Sequence, residues 1–135
     1  MTTIEEMLHE VLGTIGSWDL PIPLVVQRAE TFTRTDGQAM LYVHVVLDEY
    51  HLHIEGMIQS GGPGFYVKFT RSPRNQHSHV DEIIGWDGLY NDVPHVHLEG
   101  DRIRQGWMMF SWAEIARWLT VYLSQEVNGH EDGHS

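Results

Sequence analysis

No cysteine occurs among the 135 residues. That absence removes disulfides, thiolate zinc sites and a cysteine nucleophile together, and it leaves His, Asp and Glu as the side chains able to ligate a metal. Positive charge is scarce: Lys and Arg number 8 against 19 Asp and Glu, for a formal net charge of −11 with histidine neutral. A wide footprint of phosphate neutralisation is therefore excluded, no broad DNA-binding surface is expected, and a basic partner is favoured. No apolar run approaches the roughly 18 residues of a membrane span. The acidic segment 1–10 also lacks the basic stretch that precedes the apolar part of a signal peptide. The expectation is a cytoplasmic protein without a membrane partner. Neither an internal repeat nor a long linker divides the chain, so a single domain is expected over 1–127, followed by a disordered tail, 128–135.

What the chain has in quantity is histidine, ten in all, and three times two of them stand one residue apart: His51 and His53, His77 and His79, His95 and His97. Random placement would give about 0.7 such pairs, so the excess is modest. On a β-strand, side chains alternate faces, and each H-x-H pair then puts both imidazoles on one side, where they can share a metal, a phosphate or a proton.

The periodicity predicts a helix, a meander of strands and a second helix. Thr2 and Glu5 make a T-x-x-E capping pattern ahead of Ile4, Met7, Leu8, Val11, Leu12 and Ile15 at helical spacing. A first strand is expected over 24–34, and Asp36-Gly37 is a hairpin turn signal. Over 40–48 the odd residues Leu41, Val43, Val45 and Leu47 are apolar and face the core, which turns Tyr42, His44 and Asp48 away from it. Over 50–58 Leu52, Ile54 and Ile58 point in, and His51, His53 and Glu55 point out. After a turn at Gly61-Gly62-Pro63-Gly64, Phe65, Val67 and Phe69 point in, and Tyr66, Lys68 and Thr70 point out. Val96 and Leu98 leave His95, His97 and Glu99 on the far side of a short strand after Pro94. Ser111 and Glu114 cap a closing helix to about Glu126, with Trp112, Ile115, Leu119, Tyr122 and Leu123 as its apolar stripe. The fold class is α+β, an antiparallel sheet of five or six strands with an N-terminal and a C-terminal helix on one face. His44, His51, His53, Lys68, His95 and His97 would then share the other face.

Three regions offer chemistry. His51 and His53, with Glu55 nearby, also suit a solvated outer sheet face. His77 and His79 follow Lys68, Arg71 and Arg74, in a stretch with no acid from Gly56 to Val80. That stretch is where an acidic protein can attract a phosphate, although its Ser72-Pro73 and Asn75-Gln76 also read as a solvated loop. The richest region is 86–101, where Asp87, Asp92, His95 and His97 mix oxygen and imidazole donors that fit either a metal or a general acid and base.

The run W-D-G-L-Y-N-D-V-P-H-V-H-L-E-G-D-R-I (86–103), followed by the S-W-A-E-I-A helix, resembles the central motif of the TumE family of type II toxin–antitoxin toxins. Trp86 and Asp87 match the family's strand end, and Pro94, His95 and His97 match its histidine strand, over roughly residues 65–123. The loop between Asp87 and Pro94 is short and lacks the family's additional Pro-His-His, and the basic character usual in RNA-cleaving toxins is missing. The resemblance implies a small growth-inhibiting protein with RNA as target class, neutralised by a basic or helix-turn-helix antitoxin. Under it, His95 and His97 serve as acid and base, Asp87 orients an imidazole, and Lys68, Arg71 and Arg74 bind phosphate, with His44, His51, His53, His77 and His79 secondary. No cofactor is required under that reading. Two alternatives stand beside it: a non-enzymatic module that binds a partner protein or its own copy through the polar sheet face, and an enzyme holding a divalent metal with His51, His53, His95 and His97.

Overall fold

Thr3 caps the first helix, one residue later than the sequence pattern suggests. Its hydroxyl accepts the Glu6 N–H at 3.1 Å while the Glu6 carboxylate accepts the Thr3 N–H at 3.3 Å, a reciprocal capping box. In the computed structural model, which describes residues 2–74, 81–89, 95–98 and 111–132, with side chains to 126, this helix is α1 (Ile4–Gly16). Six strands follow: β1 (Val25–Thr33), β2 (Ala39–Leu47), β3 (Tyr50–Gln59), β4 (Gly62–Thr70), β5 (Glu82–Asp87) and β6 (His95–Leu98). They pair in chain order, every neighbour antiparallel, and α2 (Trp112–Asp132) closes the fold. The α+β arrangement expected from the periodicity is the one found.

Short hairpins enforce that order from β1 to β4. Leu47 pairs with Tyr50 across Asp48-Glu49, and Asp48 adopts the left-handed conformation, φ 59°, that such a tight turn uses. Gln59 pairs with Gly62, so the next turn is Ser60-Gly61, and Gly62-Pro63-Gly64, read as turn from composition, already belongs to β4.

The core lies between one sheet face and both helices. Leu41, Val43 and Val45 of β2, Leu52 and Ile54 of β3, Val67 and Phe69 of β4 and Trp86 of β5 are buried in one cluster with Met7, Val11 and Ile15 of α1 and Ile115, Leu119 and Leu123 of α2. Aromatic edges fix α2 against the strands: Trp118 meets Trp86 at 5.7 Å and Phe69 at 5.9 Å, both nearly perpendicular. Gly56 of β3 lets α1 come close, since a Cβ there would stand 3.0 Å from the Met7 Cε, the Leu41 Cγ and the Phe65 Cδ1. Ser111 caps α2 as expected, its hydroxyl accepting the Glu114 N–H at 3.3 Å. The helix runs to Asp132 instead of ending near Glu126, so most of the segment expected as an irregular tail continues it.

The other sheet face departs from expectation in one respect. Alternation places it opposite the core, and on a two-layer fold that face is normally solvated. Here His44, His53, Lys68, Thr70, Glu82, Asp87 and His95 are all buried. Such groups persist away from water only when they bond to one another or to the backbone.

Candidate functional site

The register assembles the polar face as rows that cross the sheet. Arg28 pairs with His44, His44 with His53, His53 with Lys68, Lys68 with Gly85, and Gly85 with His97. One row over stand Glu30, Tyr42, Glu55, Tyr66, Asp87 and His95. All six residues expected on this face are on it: His44, His51, His53, Lys68, His95 and His97. They do not form one site. His44 and His97 are four strands apart, roughly 19 Å at about 4.8 Å per strand, and two side chains do not bridge that distance. The same order overturns a single metal cluster of His51, His53, His95 and His97, because β3 and β6 have β4 and β5 between them.

The first group lies on β2 and β3. Tyr42 donates its hydroxyl proton to His53 Nδ1 at 2.7 Å, and His53 Nε2–H reaches the Ser72 carbonyl at 3.4 Å, which together assign the Nε2–H tautomer. The His44 and His53 rings stack with centroids 4.7 Å apart, and His44 Nε2 lies 2.9 Å from His51 Nδ1. Burial pushes the His53 pKa down to about 4, with the His44, Lys68 and His51 charges adding to that shift and the Ser72 carbonyl opposing it. His44 and His51 are lowered as well, chiefly by burial. Burial raises the Tyr42 phenol to about 12. The group is therefore a stack of neutral rings in which both nitrogens of His53 are hydrogen-bonded and His44 and His51 bond to each other.

The second group lies on β5 and β6. Asp87 and His95 are a directly opposed pair, and His97 follows on the same side of β6. His95 Nε2 stands 2.7 Å from His97 Nε2 and 3.5 Å from Asp87 Oδ2. One ligand atom from each of the three residues lies within 4.8 Å of the others. The carboxylate is held in place through its other oxygen, Oδ1, which accepts the Leu89 N–H at 2.9 Å. Asp87 and His95 are buried and His97 half-buried, so the group opens on its His97 side.

Its convergence differs from a relay. In a relay the carboxylate takes one nitrogen of an imidazole and leaves the other nitrogen to the substrate. Here Asp87 and His97 approach the same nitrogen of His95. Three ligands around a tetrahedral zinc stand about 3.3 Å apart, and the two separations from His95 Nε2, 2.7 and 3.5 Å, lie on either side of that value. Two imidazoles with one carboxylate also suit manganese or iron(II).

A bulge adds a residue that the sequence pattern does not mark. Phe69 pairs with Ile84, yet Thr70 pairs with Glu82, so Ile83 is the extra residue. Ile83 and Ile84 are both buried in the core cluster, and Glu82 turns onto the polar face with Thr70. Its carboxylate lies over Gly85, where a Cβ would collide with Glu82 Oε1 and stand 3.4 Å from the Tyr66 hydroxyl. Lys68, across from Gly85, has its pKa lowered by burial, against which Glu82 and Glu55 act. Two isoleucines in succession before a glycine are the available sequence signal, because they break the alternation of a regular strand.

Of the remaining expected site residues, Arg71 and Arg74 are exposed in the bend after β4, beyond Thr70 and away from the Asp87 row. His77, His79 and Asp92 lie outside the described residues. A groove of about 450 Å³ runs along Ile15, Trp18, Leu20, Pro21, Ile22 and Leu24, and it contains none of these groups. No helix among the described residues is long and apolar enough to cross a membrane. Comparisons with protein-family models, with curated proteins and with solved structures found no match.

Proposed function

We propose that Asp87, His95 and His97 hold a divalent cation and that the chain is a small metal-dependent hydrolase acting on a phosphodiester, with RNA as the substrate class. The observation that carries this reading is the convergence of two imidazole Nε2 atoms and a carboxylate oxygen on one point. A cation in such a site supplies a water of lowered pKa and a Lewis acid for a phosphoryl oxygen. The chain's own groups divide the remaining work. Glu82, turned onto the same face by the bulge, is the carboxylate available to accept a proton, and Lys68 is the nearest cross-strand cation to offset charge on a phosphorane. Arg71 and Arg74 stand further out and suit the flanking phosphates of a longer strand. Growth inhibition and a basic or helix-turn-helix antitoxin, implied by the resemblance of 86–103, belong to the same proposal, and the charge of −11 favours such a partner.

Adding Zn²⁺ or Mn²⁺ at about one hundred times its dissociation constant is expected to stabilise the protein by about 2.7 kcal/mol, seen as a melting temperature several degrees higher. His97→Ala and Asp87→Ala should each lose that shift, and a chelator should stop RNA cleavage by the native chain. A melting temperature indifferent to all divalent metals would remove the metal. Chelator-resistant cleavage with a bell-shaped pH profile would point to the histidines as acid and base.

A further inference from the structure

We propose that the chain pairs with a second copy of itself through β1, antiparallel about a two-fold axis at Ala29 perpendicular to the sheet. This inference does not depend on the metal site. β1 is an edge of the sheet, nine residues long, and among the described residues nothing pairs with its outer side. Long edges of this kind are templates for another strand unless charge, proline or shortness blunts them. Two of its large apolar side chains are exposed on the polar face, Val25 at 57% and Phe32 at 42%.

The strand is its own complement. A bulge at Gln27 shifts the register between Val26 and Arg28, so that Val25, Arg28, Glu30 and Phe32 share the polar face while Val26, Ala29 and Thr31 share the core side. Counting outward from Ala29 and passing over the bulged residue, Arg28 comes opposite the partner's Glu30. Thr31 comes opposite the partner's Val26, and Phe32 opposite the partner's Val25. Each pairing occurs twice, and each joins side chains from the same face. Opposite charges meet, the exposed apolar residues cover one another, and no like charges are opposed, which is what cross-strand pairing requires. Within one copy Arg28 and Glu30 already bond at 2.7 Å with side chains 61% and 40% exposed, so the two pairs would join into a four-residue ladder. A C2 contact of this kind is self-complementary and closes without leaving a free β1 edge.

An edge contact is small, and the expected affinity is in about the micromolar range. Sedimentation velocity on the full chain from about 1 to 200 µM, at near-physiological salt to screen the charge of −11, should show a monomer–dimer equilibrium. Arg28→Glu and Glu30→Arg should each weaken it about ten-fold or more, since each opposes like charges at both sites. The double swap R28E/E30R should restore it to within about three-fold. Net charge changes by two units in opposite directions in the single variants. Association governed by overall charge would therefore move oppositely in the two, and that result would overturn the register. A native chain that stays monomeric, or single variants that associate as the native chain does, would also overturn the proposal. Melting curves check that the variants fold, and Val25→Thr with Phe32→Thr, which keeps strand-forming residues, should weaken association to a similar degree.

Discussion

At the scale of single residues, the neutral histidine stack ties stability to pH. His53 titrates near 6.5 when unfolded and near 4 when folded, so between those values the unfolded chain binds the extra proton. Its contribution is complete above pH 6.5 and is lost progressively as pH falls towards 4. His44 and His51, shifted in the same direction, add to the loss over the upper part of that window. The charged or titratable neighbours are Tyr42 and Arg28 on one side and Lys68 and Glu55 on the other. Chemical denaturation at a series of pH values should show stability falling by about 1.4 kcal/mol per pH unit for each proton taken up on unfolding. His53→Gln should reduce that slope by close to one proton even though it loses some stability at every pH. An unchanged slope would place the titration elsewhere.

At the scale of elements, a bulge in β5 changes which residues face the core. Without the extra residue at Ile83, strand alternation would aim Glu82 into the core against Phe69 and Trp118. With it, two isoleucines enter the core and the carboxylate reaches the polar face above Gly85. Gly85→Ala should displace the carboxylate and cost about 1–2 kcal/mol. Glu82→Ala should also destabilise, because Lys68 is buried beside it. The double variant should be less destabilised than the sum of the two, by about 1 kcal/mol, since the methyl group and the carboxylate compete for one space. Additivity in that cycle would mean that the two do not meet.

At the scale of the whole molecule, 19 acidic against 8 basic residues on one domain produce self-repulsion that the packed core must offset. Raising ionic strength from about 0.01 to 0.15 M shortens the screening length from about 30 to 8 Å. The melting temperature is expected to rise by a few degrees across that range, because long-range repulsion is screened while the buried pairings are affected little. A fall would show that favourable surface pairs such as Arg34 with Asp36 outweigh the repulsion.

Much of this was legible in the chain itself. The alternation of Leu41, Val43, Val45 and Leu47 against His44, and of Leu52 and Ile54 against His51 and His53, fixes the faces, because a strand has period two and only one face could be apolar. The local pattern of Asp87, His95 and His97 was visible too, being carried by eleven consecutive residues. What tertiary structure alone decided was distance, burial and exception. Pairing order separates histidines that share a face by as many as four strands: tight hairpins join β1 to β4 in sequence, but no local pattern places β5 and β6 beside β4. The burial of His53, Lys68 and Glu82 depends on hydrogen bonds and charges between residues far apart in the sequence, such as His53 to Ser72. The bulge at Ile83 breaks the period of two, and pairing with Thr70 and Phe69 places Glu82 on the polar face.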